Sequence, residues 1–407
     1  MRGPAGESVS RYVLSPERER QAVAYSRARY RLHFIGFLWT LAVLAGLVAS
    51  RAAARLRDLA EKTSRNRFVQ FLVVLVPLGV VQALLELPIG MSRQRLARDY
   101  GLSVQSWTSW LADWVKEGAI ALAIGIPVLW LVYTALRRIP RRWWLAVGLA
   151  SIPMAIALVF IAPLVLDPLF FRFEKLEESR PDLVAKIETL TQRAGLEINR
   201  NRMFEMNASA KRRSVNAYVT GFGGSKRVVI WDTTLQKMTP DETLVVFGHE
   251  MGHFVLRHVW KGILLSCLLL TALLYLVNRA AQWAVARHGR RWGIPSVADF
   301  GSLPLLALLL AVFAELSLPV SNAYSRHVEH NADVFSLEAT HGVVPDLPRV
   351  AASSFQKLGE INLSDPSPPP FIRLWLYSHP PVGERLAFAA SYDPWSRGGK
   401  PRFIPGL

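Results

Sequence analysis

The stretch TPDETLVVFGHEMGHF at residues 239–254 combines a helix start with two histidines four residues apart. Thr239 is a favourable N-cap, a proline follows it, and Glu242 completes a capping box. Apolar residues then recur at helical spacing, so we predict one helix through both histidines. On that helix His249 and His253 lie on one face, one turn apart, where both can bind one metal ion.

Glu250 follows the first of these histidines and would lie beside the metal that they share. Its carboxylate can take a proton from the attacking water and later hand it to the leaving amine of a cleaved peptide. Residues 249–253 therefore predict a site for one Zn²⁺ ion per chain, with Glu250 as a catalytic residue. The alternative is two solvent-facing histidines on an ordinary helix.

A catalytic zinc ion needs a third protein ligand. No histidine stands six residues after His253, and His258 is one residue short and would face elsewhere on the helix. A carboxylate from a later helix fits instead. Glu329 can bind the metal, and Asp333, one turn beyond it, can accept the other ring N–H of a bound histidine. The same two carboxylates could also form a solvated acidic face balanced by Arg326.

The apolar residues are gathered in long runs. They make up 51% of the 407 residues, against 19% charged residues, and six runs approach or exceed the length that crosses a bilayer. The runs are His33–Ser50, Phe68–Gly90, Gly118–Leu136, Trp143–Leu166, Gly262–Val277 and Leu303–Val320. The fifth run is short, and a buried soluble helix is the alternative there. We predict an integral membrane protein.

The net charge of +17 comes mostly from Lys and Arg that stand between the apolar runs. That placement favours anionic lipid headgroups as partners, and no nucleic-acid recognition module is visible. Basic residues flank the first run on both sides, so charge does not orient the chain across the membrane. The first thirty residues lack an apolar core, so we expect no cleavable signal peptide.

Two carboxylates, Glu86 and Glu315, fall inside apolar runs. Intramembrane carboxylates usually face protein or water, so we expect both to line an aqueous cavity leading to the metal. The alternative is that they lie at span ends near the headgroups. The single cysteine, Cys267, excludes an internal disulfide framework.

A polar segment between the fourth and fifth runs holds further elements. The patterns predict a helix at Ser179–Ala194, strands at Met203–Met206, Asn216–Phe222 and Arg227–Trp231, and a Gly223-Gly224 turn between the last two strands. Another helix, Asn322–Ala339, is predicted after the sixth run.

The predicted fold class is a mainly α membrane protein: a polytopic helical bundle of six or seven spans with a small α+β zincin-type catalytic domain. Residues 1–166 would form a region of four transmembrane helices, and residues 167–261 the catalytic segment with the metal helix. Residues 262–324 would add two further spans, and residues 325–407 the third-ligand helix and a catalytic tail.

Five sequence elements stand in one order along the chain. They are Asp167-Pro168-Leu169-Phe170; Asn216-Ala217-Tyr218-Val219-Thr220-Gly221 with Val228-Val229-Ile230-Trp231-Asp232-Thr233; His249-Glu250-x-x-His253; Ser325-Arg326-x-x-Glu329-x-x-x-Asp333; and Ser378-His379-Pro380-Pro381 with Glu384-Arg385. Together they resemble the CAAX prenyl protease 1 family, which are integral-membrane zinc metalloproteases of the gluzincin type. The resemblance covers most of the chain from about Phe68 onward. Short connections, and six spans where eukaryotic members have seven, fit a bacterial member.

The resemblance implies a zinc-dependent endopeptidase that cleaves near the C-terminus of membrane-associated substrates, prenylated CAAX proteins included. It implies Glu329 as the third zinc ligand and His379 as a donor that stabilises the oxyanion. Asn216, Ala217 and Tyr218 would bind substrate backbone by strand addition; the alternative is ordinary sheet.

Arg385 would support His379 or bind a substrate carboxylate. The expected partners are a peptide or protein substrate and membrane lipids, in a bacterial inner membrane with the catalytic domain facing the cytoplasm. A quality-control metalloprotease for membrane proteins and a non-enzymatic metal-binding membrane protein are the alternative functions. Four spans before the catalytic segment disfavour the first alternative, and the retained Glu250 disfavours the second.

Overall fold

The computed structural model describes residues 11–221, 225–396 and 398–404. Within these ranges the chain is mainly helical and has one small sheet. The helices are α1 Pro16–Ala49, α2 Ala52–Thr63, α3 Arg67–Asp99, α4 Trp107–Arg138, α5 Trp143–Val165, α6 Asp167–Phe170, α7 Leu176–Ser179, α8 Pro181–Arg193, α9 Asp232–Lys237, α10 Pro240–Val255, α11 His258–Trp292, α12 Leu303–Thr340, α13 Leu347–Ile361, α14 Pro370–Leu376 and α15 Val382–Ser391. The strands are β1 Phe173–Lys175, β2 Met203–Met206, β3 Ala217–Thr220 and β4 Arg227–Trp231.

Six helical segments in the described ranges are long and apolar enough to cross a membrane, which confirms the predicted number of spans. They contain α1, α3, α4, α5 with α6, α11, and α12. The short fifth apolar run lies in α11, a helix of 35 residues. Much of that length comes from residues 278–292, a mixed polar and apolar stretch that continues the helix beyond the apolar run.

The membrane half is packed around large side chains that are almost fully buried: Phe71 of α3, Tyr133 of α4 and Trp143 of α5. Their polar atoms have partners. The Tyr133 hydroxyl lies 3.0 Å from Ser302 Oγ, and Trp143 Nε1 donates to Asn278 Oδ1 at 2.8 Å. These bonds join α5 to α11 and α4 to the start of α12, and they matter because an unpaired polar group is costly in an apolar interior.

The predicted separate helix at Asn322–Ala339 is wrong, because α12 runs unbroken from Leu303 to Thr340 and passes through Pro319. Proline removes one backbone hydrogen bond and often ends a helix. Here most residues from Val328 onward are buried, and packing against α10 maintains the helix beyond the proline. The boundary drawn between residues 324 and 325 therefore falls inside one helix, and the boundary at 261/262 falls inside α11.

The sheet has the order β1-β2-β4-β3, with β2 parallel to β4 and both outer pairs antiparallel. Strand β3, Ala217–Thr220, is shorter than the predicted Asn216–Phe222. Phe222 and the predicted Gly223-Gly224 turn lie outside the described residues. Among the described strands β3 pairs with β4 alone, so β3 is an edge strand whose other side can accept an added strand.

The helix predicted over Ser179–Ala194 is split in two, because α7 ends at Ser179 and α8 begins at Pro181. Proline is accepted in the first turn of a helix but not in its interior. The sheet, α8, α10, α13 and α15 share one apolar core, and we call this region the catalytic part. The predicted apolar face of α8 is buried there, where Leu183, Ile187 and Leu190 are at most 4% exposed.

Candidate metal centre and active site

Helix α10 begins at the predicted capping box. Glu242 N–H donates to Thr239 Oγ1 at 3.2 Å, and Thr239 N–H donates to Glu242 Oε2 at 2.7 Å. The helix continues through His249 and His253. The Nε2 atoms of these two histidines are 3.1 Å apart, so both rings point at one position.

Glu329 of α12 lies at the same position. Its Oε2 is 3.1 Å from His249 Nε2, and its Oε1 is 3.5 Å from His253 Nε2. Two ligand atoms bound tetrahedrally to one zinc ion would be roughly 3.3 Å apart, which these separations match. Glu329 Oε2 is also buried without a hydrogen-bond donor of suitable geometry. A metal ion would satisfy that oxygen, so the three residues fit a metal site.

Two glycines let α10 approach α12 closely. A Cβ atom at Gly248 would lie 2.9 Å from Ser336 Oγ and 3.3 Å from Ser336 Cα, and one at Gly252 would lie 3.1 Å from the Phe335 ring. Ser336 Oγ donates to the Val245 carbonyl at 2.6 Å, which joins the helices directly. We did not predict these contacts, although a glycine before each histidine is a visible signal of close helix packing.

Asp333 lies behind the metal position. Its Oδ1 is 2.7 Å from His249 Nδ1, the ring nitrogen that faces away from Glu329. Burial lowers the pKa of His249, but the hydrogen bond and charge of Asp333 outweigh it and raise the pKa to about 9. A carboxylate on the far nitrogen of a ligating imidazole fixes its tautomer and makes it a stronger ligand.

Arg385 of α15 is buried behind the same histidine. Its Nη2 and Nε donate to the two carboxylate oxygens of Asp333 at 2.7 and 2.9 Å. The guanidinium Nη2 is 3.3 Å from His249 Nδ1. Only 7% of Arg385 is exposed. Arg385 is therefore placed to orient Asp333. A substrate carboxylate could bind Arg385 only by displacing Asp333 from this ion pair.

Glu250 lies next to the cluster and lines the large cavity described below. Burial raises the pKa of its carboxyl group, and the charges of the neighbouring histidines oppose that effect. A carboxyl group with a raised pKa can both accept and return a proton near neutral pH.

His379 reaches the cluster from the tail of the chain, between α14 and α15. Its Nε2 lies 3.1 Å from Glu329 Oε2, and its Nδ1 lies 2.9 Å from Ser378 Oγ. Burial lowers the pKa of His379, with the charge of Glu329 opposing that effect. The residue that the resemblance singled out thus lies beside the metal position.

A cavity of about 1040 Å³ opens at the cluster. Its wall includes His249, Glu250 and His379 from the catalytic part, together with residues of the membrane helices α1, α3 and α12. The candidate catalytic residues therefore face a chamber that is also lined by the membrane helices.

The three predicted substrate contacts lie at the edge of the sheet. Asn216 lines the cavity and immediately precedes β3. Ala217 is buried, and the Tyr218 hydroxyl donates to Asp167 Oδ2 at 2.7 Å. The Tyr218 side chain is thus committed to the protein, and this leaves the strand backbone and Asn216 for a substrate.

Three further histidines, near α10 or on α12, do not belong to the cluster of His249, His253 and Glu329. His258 begins the next helix, and its Nδ1 is 3.3 Å from Nδ1 of His253, the nitrogen opposite the metal position. His327 contacts Asn331, and His330 stacks edge-on against Phe388.

The prediction that Glu86 and Glu315 line the cavity is wrong. Neither belongs to the wall residues in the described part of the chain. Glu315 lies just outside the wall, where its Oε1 accepts from Trp375 Nε1 at 2.8 Å and lies 2.9 Å from His33 Nε2. Both of these partners line the cavity. A carboxylate inside a span can pair with protein groups as well as with water, and sequence cannot tell which.

Family models match nearly the whole chain. The model described as the CAAX prenyl protease N-terminal domain, five membrane helices, matches residues 7–172, and the model of peptidase family M48 matches residues 177–393. Within the described part of the first range, four segments are long enough to span a membrane, and the shorter α2 is an additional helix.

Individual relatives agree with these matches. The "Uncharacterized metalloprotease YhfN" of Bacillus subtilis is 32% identical over 92% of this chain and 86% of its own length. CAAX prenyl protease 1 of Saccharomyces cerevisiae is 27% identical over 78% of this chain and 71% of its own. The crystal structure of S. mikatae Ste24p has a TM-score of 0.79 at 22% identity, covering 96% of this chain and 91% of that one, and shows the same fold.

The M48 model covers more than half of the chain and includes the whole His249, His253 and Glu329 cluster. The N-terminal model and the six long helices account for the membrane part. The chain belongs to peptidase family M48 and is an integral-membrane metalloendopeptidase.

Proposed function

We propose that the metal is zinc and that His249, His253 and Glu329 are its ligands. Two imidazoles and one carboxylate are a donor set of catalytic zinc sites that keep a position open. The observation that carries the proposal is the buried carboxylate of Glu329, which lies against the Nε2 atoms of His249 and His253 while its Oε2 has no hydrogen bond of suitable geometry. His249 also lines the cavity. When bound, zinc would act as a Lewis acid that polarises the scissile carbonyl and acidifies water.

Glu250 is the general base and acid of this proposal. It takes the proton of the attacking water and delivers it to the leaving amine, and its place on the cavity wall beside His249 supports that role. His379 donates a hydrogen bond to the developing oxyanion, and its Nε2 beside Glu329 supports this. A positioned donor of this kind is worth about 3–4 kcal/mol of barrier.

The substrate lies along β3 as an added strand, with Asn216 and the backbone of Ala217 and Tyr218 as its contacts. The edge of β3 that faces away from β4, on which no described strand lies, supports this mode of binding. Asp333 orients His249, and Arg385 orients Asp333 rather than binding the substrate.

We propose that the substrates are membrane-associated proteins cut near their C-terminus, prenylated CAAX proteins included. The chamber bounded by membrane helices and the relatives named CAAX prenyl protease 1 support this class. The 32% sequence identity with a Bacillus subtilis protein supports a bacterial member of the family. We propose that it lies in the inner membrane with the active site on the cytoplasmic side.

The mechanism is tested by Glu250→Gln in purified protein, with Glu360→Gln, an exposed glutamate at the end of α13, as the control. We expect about one zinc ion per chain in wild type and both variants, and cleavage lost in Glu250→Gln alone. Cleavage by Glu250→Gln at the wild-type rate would contradict the proposal.

The substrate class is tested with peptides that end in Cys-aliphatic-aliphatic-X, each made with and without a farnesyl group and with a free or amidated C-terminus. Cleavage that requires the free C-terminus supports C-terminal processing. Equal cleavage of amidated peptides and of unfolded membrane proteins would instead favour a quality-control protease.

A further inference from the structure

The tail segment, residues 370–385, contains α14, the loop with His379 and the start of α15. Before His379 it makes four hydrogen bonds to α12, one of them from Arg326 Nη1 to the Arg373 carbonyl at 3.2 Å. Trp375 Nε1 donates to Glu315 Oε1 at 2.8 Å, Asn322 Nδ2 donates to the Trp375 carbonyl at 2.6 Å, and Arg326 Nη1 donates to the Tyr377 carbonyl at 2.6 Å. The residues just ahead of His379 are therefore attached to the helix that carries Glu329.

After His379 the tail segment returns to the same helix. Arg385 donates to both carboxylate oxygens of Asp333, and both side chains are buried. His379 thus lies on a short span of chain held to α12 on both sides.

All these contacts come from one face of α12. Glu315, Asn322, Arg326, Glu329 and Asp333 follow one another at intervals of seven, four, three and four residues, which is the spacing of a single helical face. At 1.5 Å per residue the row is about 27 Å long. The helix that presents Glu329 to the metal therefore also sets where His379 stands relative to it.

Glu315, the first residue of this row, also contacts a second membrane helix, α1. Glu315 Oε1 is 2.9 Å from His33 Nε2 of α1, and the Tyr377 hydroxyl is 2.6 Å from that of Tyr30, also on α1. An intramembrane carboxylate is costly unless its partners compensate it. Here the partners are one side chain from α1 and one from the tail segment, so the carboxylate joins three elements.

We propose that Glu315 and Trp375 are positioning residues for His379: their hydrogen bond fixes the tail segment so that the imidazole reaches the reacting carbonyl. This inference rests on the role proposed above for His379. It assigns a catalytic purpose to a carboxylate inside a membrane span that contacts neither the metal position nor the cavity.

Packing alone is the competing explanation, because Trp375 also stacks on Phe371, which stacks on Phe34 of α1. Trp375→Phe distinguishes packing from hydrogen bonding, because phenylalanine keeps a ring for the stack and lacks the N–H that reaches Glu315. Trp39→Phe is the matched control, because Trp39 Nε1 also donates a 2.8 Å bond, to the Leu85 carbonyl, between membrane helices away from the tail segment.

We expect Trp375→Phe to lower kcat by about tenfold, the scale of one hydrogen bond, with little change in KM and none in zinc content. Glu315→Leu should match it, while Glu315→Gln, which keeps an acceptor oxygen, should recover most of the rate. Hydrogen–deuterium exchange of residues 371–381 should be faster in Trp375→Phe and unchanged in Trp39→Phe.

The route through His379 is tested in the double variant. Trp375→Phe should cause no further loss in a His379→Ala background, whereas a packing defect would lower both backgrounds equally. An unchanged kcat in Trp375→Phe, unchanged exchange, or an additive loss in the double variant would each overturn the inference. Retained cleavage by Glu250→Gln would overturn the proposed function instead, and exchange, which needs no turnover, would still decide whether the bond holds the tail segment.

Discussion

His249 is held from behind by Asp333, and Asp333 is held by Arg385, so three side chains from α10, α12 and α15 meet at one ring nitrogen. A carboxylate that accepts the far N–H of a ligating imidazole fixes the ring orientation before metal binds. The charge of Asp333 is balanced by the guanidinium, which makes its burial tolerable.

Asp333→Asn tests this arrangement. The amide keeps an acceptor oxygen but loses the charge that raises the pKa of His249 and pairs with Arg385, so we expect zinc affinity to fall about 10- to 100-fold. Competition with a fluorescent chelator measures the change. Asp346→Asn, which removes an exposed carboxylate paired with Arg349, serves as the control; an equal affinity for both variants would contradict the assigned role.

At the scale of elements, the α10–α12 pair builds the site. The helices approach closely at Gly248, because its missing side chain makes room for Ser336. His249 and Glu329 lie on this pair, so the separation of the two axes sets the distances within the cluster.

Gly248→Ala should therefore weaken zinc binding as well as lower the stability of the fold. The new Cβ would lie 2.9 Å from Ser336 Oγ, which is already bonded to Val245, so we expect a cost of about 1–3 kcal/mol and weaker zinc binding. Gly262→Ala in α11 meets no atom within 4 Å and should stabilise that helix by up to about 1 kcal/mol. Thermal unfolding and zinc titration of the two variants give the comparison; indistinguishable variants would refute the packing argument.

The start of α10 has its own electrostatic anchor. Burial raises the pKa of Glu242, but hydrogen bonds from Lys357, Ser353 and the Thr239 N–H outweigh it and lower the pKa below its ordinary value. A group whose folded pKa is lowered adds stability above its unfolded pKa, and that stability is lost as pH falls through the folded pKa.

Glu242→Gln should accordingly lower the melting temperature at pH 7, by a loss of about 1 kcal/mol. The difference from wild type should shrink as pH falls below about 4.5, where the unfolded carboxyl group takes up its proton. Melting curves between pH 7 and pH 3 measure this. A difference that stays constant over that range would show that the charge of Glu242 is not responsible.

At the scale of the whole molecule, the metal position connects the catalytic part to the membrane part. His249 and His253 belong to α10, whereas Glu329 belongs to α12, which continues into the membrane bundle. A ligand that binds only the folded state stabilises it by mass action.

Removal of the metal by a chelator should therefore lower the melting temperature of the wild-type protein, and added zinc should restore it. At zinc concentrations near 100 times the dissociation constant the expected effect is about 2.7 kcal/mol. Glu329→Ala should respond much less to chelation, and His330→Ala, whose ring packs on Phe388, should respond like wild type. An equal response of all three proteins would contradict the ligand assignment.

Much of this architecture is predictable from contiguous residues. The six apolar runs indicate spans because a bilayer imposes a minimum length, and the capping box with histidines one turn apart indicates the metal helix because helical geometry is local. His379 was reached through resemblance alone, and the choice of Glu329 as a ligand over a solvated acidic face also rested on it, since each lies more than seventy residues from His249 along the chain.

Residue type and short-range spacing are enough to predict the membrane class, the helix that carries the candidate metal site and the chemistry of its side chains. Three features become visible in the folded chain alone: α12 continues through Pro319, Arg385 pairs with Asp333, and Glu315 bonds to Trp375 and His33 instead of facing the cavity. Each of these depends on which distant elements lie side by side, and burial against such neighbours outweighs the local preference of proline or the solvation of a carboxylate.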